Sequence, residues 1–154
     1  MIQICGHKLN LRDVQPKDTD LLVDWLNPRH EWHKFNGPYY TPKPADEISG
    51  LVKGWLSPNL DEIRRRLIIV DARTDVLIGN VSRYWISKET NWLAIGLAIY
   101  DSQQWSKGYG YEALGLWCDY LFTSDEQLVR LDLRTWSGNI GMIKLAEKLS
   151  FARE

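Results

Sequence analysis

The sequence predicts an α/β (α+β) domain in which a mixed, mostly antiparallel central sheet is flanked by helices. Two observations indicate this fold class. Three strand-like runs follow one another with short turns, as in an antiparallel meander. Further along, a strand, a glycine-containing loop, a helix and another strand follow in that order, and such a crossover unit places its two strands parallel. The length of 154 residues is that of one ordinary domain, so we expect residues 1–154 to form a single domain.

The first part of the chain alternates strand and helix signals. Residues 2–14 alternate apolar and polar side chains and predict a strand or hairpin. Pro16 opens a predicted helix with apolar residues at helical spacing, and Pro28 ends it. The segment 29–44 is irregular and rich in His, Pro and aromatic residues, and a second helix is predicted over 45–56.

The rest of the chain carries the meander and the crossover. Strands are predicted over 65–71, 76–87 and 92–100. After Gly108 the apolar residues recur at helical spacing, which predicts a helix. Residues 128–136 (LVRLDLRTW) alternate as a strand, and a last helix is predicted over 139–149.

The loop WSKGYG at residues 105–110 joins a strand to a helix. Unpaired N–H groups and the helix dipole favour an anion there, and phosphate is the natural candidate. The alternative is that Gly108 and Gly110 only serve a tight turn and close helix packing. A Walker loop is excluded because its sequence pattern is absent, and a dinucleotide fingerprint fits poorly because the next strand does not end in an acidic residue.

The strand before the loop has one face of small residues, Ala94, Gly96 and Ala98. Such a face allows close approach of another group. Either a helix packs tightly on this strand, or an extended ligand runs beside its backbone and ends at the glycine loop. The spacing alone does not decide between the two.

Composition excludes several classes of function. Lys and Arg number 19 against 20 Asp and Glu, a formal net charge of -1, so no global field favours nucleic acid or an anionic membrane. The two cysteines lack metal-ligand spacing, and no apolar run approaches membrane-spanning length. We therefore expect a cytoplasmic protein with no metal, no nucleic acid and no membrane among its partners.

Two stretches resemble a known family. IGLAIYDSQQWSKGYGYEALGLWCDYLF and, further on, LDLRTWSGNIGMIKLAEKLSF resemble the core of the GNAT superfamily of acyl-CoA N-acyltransferases, in particular its RimJ/RimL-like branch. The first contains that branch's W-G-K-G-Y-A/G-x-E-A-L pattern, with Ser106 at one family glycine. The second matches N-x-x-S-x-x-x-x-E-K-x-G-F at Asn139, Glu147, Lys148, Leu149 and Phe151. The resemblance covers nearly the whole chain.

The resemblance implies the GNAT fold and the transfer of an acetyl group from acetyl-CoA to an amine acceptor, either a small amine or a peptide N-terminus. It further implies that residues of the loop donate backbone N–H groups to the pyrophosphate, that main-chain groups of the preceding strand bond the pantetheine arm, and that the last helix orients it. The residues so implied are Leu97, Ala98, Ile99, Trp105, Ser106, Lys107, Gly108, Tyr109, Gly110, Asn139 and Met142.

The sequence departs from the family pattern at the two positions expected to transfer protons during the reaction. The strand glutamate that serves as base in many RimJ/RimL-like enzymes is Ala94 here, and the serine near the sulfur is Met142. His30, Glu31 and His33, among aromatic residues that include Tyr39 and Tyr40, are the candidates to replace them, because a histidine has a suitable pKa. The alternative for each is a surface or capping role around an aromatic cluster of the core.

A second departure concerns length. Members of the family that the chain resembles continue beyond the last helix with two more strands, so we expect the domain ending at Glu154 to be truncated at its C-terminus, without these strands. An open sheet edge would then allow pairing with a second copy into a homodimer. These departures leave a competing interpretation, a catalytically weak or inactive acyl-CoA-binding or interaction module.

Overall fold

The computed structural model describes residues 1–36, 41, 43–60, 62–135 and 137–153. Ten principal elements follow one another in the described residues. They are β1 (Gln3–Cys5), β2 (Leu9–Arg12), α1 (Thr19–Trp25), α2 (Ala45–Trp55), β3 (Arg66–Asp71), β4 (Leu77–Ser87), β5 (Trp92–Ile99), α3 (Tyr109–Ser124), β6 (Arg130–Leu133) and α4 (Ile140–Lys148). Short 3-10 helices span Pro16–Asp18, Glu31–Phe35 and Ser102–Gln104.

The described strands form one sheet in the order β1-β2-β3-β4-β5-β6. Each neighbouring pair from β1 to β5 is antiparallel, and β5 and β6 are parallel. The predicted mixed, mostly antiparallel sheet is therefore confirmed, and so is the crossover through α3. The parallel pair matters for function because the loop that leads into the crossover helix starts at the end of β5.

Two hydrophobic clusters cover the two faces of the sheet. On one face the side chains of β2, β3, β4 and β5 pack against α3, where Trp117 is fully buried. On the other face Val70, Leu77 and Tyr100 pack with α1 and α2. Since side chains alternate along a strand, Leu97 and Ile99 belong to the first cluster while Ala98 and Tyr100 belong to the second. Within the described residues no helix is both long enough and apolar enough to cross a membrane.

The structure differs from the sequence prediction mainly at element ends. The strand predicted over 128–136 is regular only as β6, because its pairing with β5 stops at Leu133 opposite Ile95. Trp136 lies outside the described residues. The irregular segment contains the 3-10 helix Glu31–Phe35, and Tyr39 and Tyr40 lie outside the described residues as well.

Candidate functional site

A cleft opens where β5 and β6 part. Their pairing ends at Ile95 and Leu133, whereas β5 continues to Ile99. The space beyond has a volume of about 540 Å³ and lies between the end of β5, the loop before α3, and α4. Trp32 and Phe35 from the 3-10 helix between α1 and α2 form one more part of its lining.

The main chain at the end of β5 is divided between β4 and the cleft. The N–H of Tyr100 donates to a carbonyl of β4 at 2.9 Å, and consecutive residues of a strand direct their main-chain groups to opposite edges. Ala98 therefore directs its N–H and C=O toward β4, whereas Leu97 and Ile99 direct theirs into the cleft. The carbonyl of Ile99 accepts a hydrogen bond from Trp105 Nε1 at 2.8 Å.

The loop before α3 has an unusual backbone. Ser106 has a φ of 60° and Gly108, the N-cap residue of α3, has a φ of 87°, both in the left-handed region that favours glycine. Gly108 has no side chain that could occupy the N–H groups of the first helical turn. These donors and the positive end of the helix dipole therefore meet at the cleft.

Gly110 brings three elements close together. A Cβ at this position would lie 3.0 Å from Leu145 Cδ2 on α4 and 3.2 Å from Leu97 Cδ2 on β5. The first turn of α3 can lie against both neighbours only because this residue has no side chain. Gly110 thus serves close packing and Gly108 serves the left-handed turn, which are the two roles of the purely structural alternative. The anion-binding role of the loop stays a prediction.

Aromatic and amide contacts connect the remaining sides of the cleft. The rings of Phe35 and Trp105 meet edge to face with centroids 5.0 Å apart. Asn139 caps α4 by accepting a hydrogen bond from the N–H of Met142 at 3.1 Å, and its Nδ2 donates to the Phe35 carbonyl at 3.4 Å. The 3-10 helix, the loop and α4 are therefore held in one arrangement around the cleft.

Glu112, in the first turn of α3, connects the loop before α3 to the turn between β1 and β2. Its carboxylate accepts hydrogen bonds from the N–H groups of His7 at 2.7 Å, Lys8 at 3.0 Å and Leu9 at 3.1 Å. The hairpin turn between β1 and β2 is thereby fixed to the start of α3, and Lys8 Nζ donates to the Lys107 carbonyl at 2.7 Å. The sequence offered only the presence of Glu112 in the loop motif as a signal for this contact.

Most of the residues expected to bind the coenzyme line the cleft. They are Leu97, Ala98, Ile99, Trp105, Ser106, Gly108, Gly110, Asn139 and Met142. Lys107 and Tyr109 instead line a second pocket on the other side of the loop. The cleft also has lining residues that the sequence did not single out, among them Tyr111, Lys144 and Lys148.

His30, Glu31 and His33 are not among the residues that line the cleft. Both histidines face α1. His30 Nε2 is 3.3 Å from the Asp24 carboxylate, and His33 Nε2 is 3.3 Å from a main-chain carbonyl at the end of α1. Burial lowers the pKa of His33 below its usual 6.5. Trp32, which lies between the histidines in the sequence, is the residue that reaches the cleft.

Ala94, which the resemblance matches to the family's base, is fully buried. In the sheet it is paired with Tyr84 on β4 and Asp132 on β6, and it is not among the residues that line the cleft. The carboxylate of Asp132 accepts a hydrogen bond from Arg130 Nε at 2.7 Å. The structure therefore places a carboxylate beside Ala94 on the neighbouring strand, in an ion pair.

A family model supports the assignment made from the residues. The model described as "Acetyltransferase (GNAT) domain" matches residues 8–152. The chain therefore belongs to the GNAT acetyltransferase domain family. No curated protein sequence matches the chain significantly.

Solved structures agree with this fold. A GNAT-family acetyltransferase from Bacillus anthracis is 18% identical, with a TM-score of 0.79 over 99% of this chain and 85% of that chain. A ribosomal-protein-S5-alanine acetyltransferase from Vibrio fischeri is 16% identical, with a TM-score of 0.78 over 100% of this chain and 85% of that chain. RimL, a ribosomal L7/L12 α-N-protein acetyltransferase solved in complex with coenzyme A, is 16% identical, with a TM-score of 0.76 over 99% of this chain and 85% of that chain. At these identities the likeness shows the fold.

GNAT domains use acetyl-CoA, and the cleft has the features that this molecule requires. A pyrophosphate needs donors without competing side chains, which the start of α3 offers at Gly108. A pantetheine arm carries amides that pair with an open strand edge, which β5 offers at Leu97 and Ile99 beyond its pairing with β6. The residues present therefore fit the coenzyme.

Proposed function

We propose that the chain transfers the acetyl group of acetyl-CoA to the amine of a small molecule or of a peptide N-terminus. The observation that carries the proposal is the juxtaposition of the uncapped start of α3 with the open edge of β5 in one cleft. We further propose that the chain is a single acetyltransferase domain of the RimJ/RimL-like branch. The loop and last-helix motifs support that branch.

In this proposal the loop holds the phosphates and β5 holds the arm. The first-turn N–H groups of α3 bind the pyrophosphate. The main-chain groups of Leu97 and the N–H of Ile99 form hydrogen bonds with the pantetheine amides. Asn139 acts chiefly by capping α4, so it positions Met142 against the arm. Acetyl-CoA supplies an activated thioester carbonyl next to the strand. A new C–N bond forms there while the C–S bond breaks, CoA leaves as its thiolate, and the proton lost by the amine passes through water to the solvent or to that thiolate.

We propose that positioning supplies most of the catalysis. Holding the two reactants at the correct distance removes a large part of the entropic barrier, equivalent to roughly 7–11 kcal/mol in favourable cases. Ala94 has no proton acceptor, and the histidines face α1 rather than the cleft. A base role for His30, Glu31 or His33 would require a water chain or a movement of the 3-10 helix.

The acceptor is proposed to enter beside Trp32 and Phe35, which form the aromatic side of the cleft. Aromatic faces hold apolar groups or a cationic amine. The aromatic side of the cleft therefore supports an acceptor whose amine is itself a compact cation or is attached to an apolar group, as in a small amine or a peptide N-terminus.

The test combines coenzyme binding with turnover. Acetyl-CoA should raise the melting temperature of the protein, because a ligand of the native state stabilises it by mass action. Gly108→Pro should abolish the shift, since proline cannot adopt the observed positive φ and removes an N–H. A screen of amines and N-terminal peptides for CoA release then identifies the acceptor. Absence of any shift with acetyl-CoA or CoA would contradict the proposal.

A second candidate function is an acyl-CoA-binding module without turnover. The buried Ala94 and the position of the histidines outside the cleft lining favour it. Both candidates bind acetyl-CoA, but only the enzyme transfers the acetyl group to an amine. A thermal shift with acetyl-CoA together with no CoA release across the amine panel would support the binding module over the enzyme.

A further inference from the structure

The side chain of Trp105 contacts the open edge of β5. Its Nε1 donates a hydrogen bond to the carbonyl of Ile99 at 2.8 Å, and Ile99 is the last residue of the strand. Both residues line the cleft. The indole therefore occupies a main-chain acceptor that β5 would otherwise offer to a ligand in the cleft.

The indole is held in place from two sides. The main-chain N–H of Trp105 donates to the carbonyl of Ser102 at 3.2 Å, which fixes the residue at the end of the 3-10 helix before the loop. The ring of Phe35 meets the indole edge to face, with centroids 5.0 Å apart. The Phe35 carbonyl in turn accepts a hydrogen bond from Asn139 Nδ2 at 3.4 Å. These contacts keep the indole N–H on the Ile99 carbonyl.

The contact makes the two cleft-facing residues of β5 unequal. Leu97 presents both its N–H and its C=O to the cleft beyond the pairing of β5 with β6, whereas the C=O of Ile99 is already bonded. Equivalent groups recur along one strand edge every two residues, about 7 Å apart. A bare edge would thus accept an amide-containing arm in two registers, one repeat apart. A carbonyl has two lone pairs, but the indole stands on the cleft side, from which a ligand must approach.

We propose that the indole N–H of Trp105 fixes the register in which the coenzyme arm pairs with β5, because it already occupies the Ile99 carbonyl. The inference rests on the proposed function, since the arm is the pantetheine of acetyl-CoA. A slip of one repeat would displace the thioester carbonyl by about 7 Å along the strand, and transfer requires the reacting atoms to be held close together. Trp105 is thus a positioning residue that excludes a bound state unable to react.

Two substitutions separate the hydrogen bond from the bulk of the ring. Trp105→Phe keeps an aromatic ring near Phe35 but removes the donor, so the Ile99 carbonyl becomes available to a ligand. Trp105→His keeps a donor, because Nε2 of histidine and Nε1 of tryptophan hold the same position in their five-membered rings. A role in register predicts that the Phe variant is altered and the His variant is not. A role in packing alone predicts the reverse, since histidine loses more of the ring.

Calorimetric titration of the full chain with CoA is the first measurement. A second register adds a second way to bind, so Trp105→Phe should bind CoA about two- to fivefold more tightly. The second measurement is turnover of acetyl-CoA with the amine that the acceptor screen identifies. In Trp105→Phe, kcat and the KM for acetyl-CoA should fall by that same factor while kcat/KM stays unchanged, because an unproductive complex lowers both alike. Trp105→His should keep the constants of the unaltered chain.

Trp117→Phe is the matched control. Trp117 Nε1 also donates to a main-chain carbonyl, that of Ser82 at 3.0 Å, but the residue is fully buried in the core beneath α3 and does not line the cleft. Its replacement should lower the melting temperature and leave CoA affinity, kcat and KM unchanged.

The proposal is overturned if Trp105→Phe binds CoA no more tightly than the unaltered chain. It is also overturned if that variant lowers kcat/KM, as a distorted cleft would, or if Trp105→His changes the constants as much as Trp105→Phe does. Failure of the unaltered chain to bind CoA would instead contradict the proposed function.

Discussion

Ser106 is a serine in a backbone conformation that favours glycine. Its φ is 60°, and a left-handed conformation costs a residue with a Cβ roughly 1–2 kcal/mol. Ser106→Gly should therefore stabilise the protein by up to about 1.5 kcal/mol, after subtraction of the roughly 0.5–1 kcal/mol that glycine loses in the ordering of its backbone. Urea denaturation followed by circular dichroism measures this change.

Ser102→Gly is the control for Ser106→Gly. Ser102 lies in the 3-10 helix Ser102–Gln104 and is absent from the described residues with positive φ, so the same replacement should destabilise the protein there. If both substitutions lower the free energy of unfolding to a similar extent, the strain assigned to Ser106 is wrong.

The pH dependence of turnover distinguishes positioning from base catalysis. Without a protein base, kcat/KM for an alkylamine acceptor should rise about tenfold per pH unit from about pH 6 to 9, because a lysine-like amine has a pKa of about 10.4. If His33 takes the proton, its pKa matters instead. Burial lowers that pKa below 6.5, so the neutral, proton-accepting form dominates at higher pH and the profile would level off from below 6.5 upward.

His33→Gln is the variant that decides this question. We expect it to leave the rising profile unchanged, with initial rates of CoA release as the measurement. A plateau in the unaltered enzyme that is lost in His33→Gln, with the melting temperature unchanged, would show that the histidine acts on the proton despite its contact with α1.

At the scale of elements, Glu112 joins the β1–β2 hairpin to α3 through three main-chain N–H groups. Glu112→Ala would leave these donors to solvent and remove a negative charge from the positive end of the helix. We expect a loss of about 1–3 kcal/mol in the free energy of unfolding, together with weaker acetyl-CoA binding because the loop loses its support.

Glu126→Ala is the comparison for Glu112→Ala, since Glu126 is exposed in the turn after α3 and should change stability little. Chemical denaturation gives the stability, and titration with acetyl-CoA gives the affinity. Equal effects of the two substitutions on both quantities would show that the hairpin contact does not support the loop.

At the scale of the whole molecule, Arg12 ties distant segments together. It is 3% exposed and bonds Asp18 at 2.8 Å and Asp75 at 3.0 Å. Arg12 and Lys17 lower the pKa of Asp75, and hydrogen bonds from the N–H groups of Thr74 and Arg73 lower the pKa of Asp71. The β3–β4 turn and its contact with Arg12 therefore depend on ionised carboxylates.

The sign of the effect follows from the lowered pKa values. A carboxylate whose folded pKa lies below its unfolded value of about 3.9 stabilises the fold above that value, and loses the contribution as the pH falls through the folded pKa. The melting temperature should thus be steady near neutrality and fall below about pH 4. Asp75→Asn should lower the melting temperature at pH 7 and flatten the acid decline, and a decline of unchanged size would contradict the assignment.

The sequence by itself determined the order and type of the elements and the parallel crossover through α3. Local patterns carry this information, because period-2 alternation, helical spacing and turn residues act over a few positions. The glycine loop was predictable for the same reason. The left-handed backbone at Gly108 and the close packing at Gly110 both require glycine, so both positions are visible in the sequence as glycines.

Only the tertiary structure decided what surrounds that loop. His7 and Glu112 are 105 residues apart, and no local pattern shows that one binds the other or that Lys8 reaches Gly108. The histidines fit a base by their chemistry, yet packing of the 3-10 helix turned them toward α1. Contacts of this kind depend on how separate elements meet, and that is set by the sum of all packing energies rather than by the residues at either end.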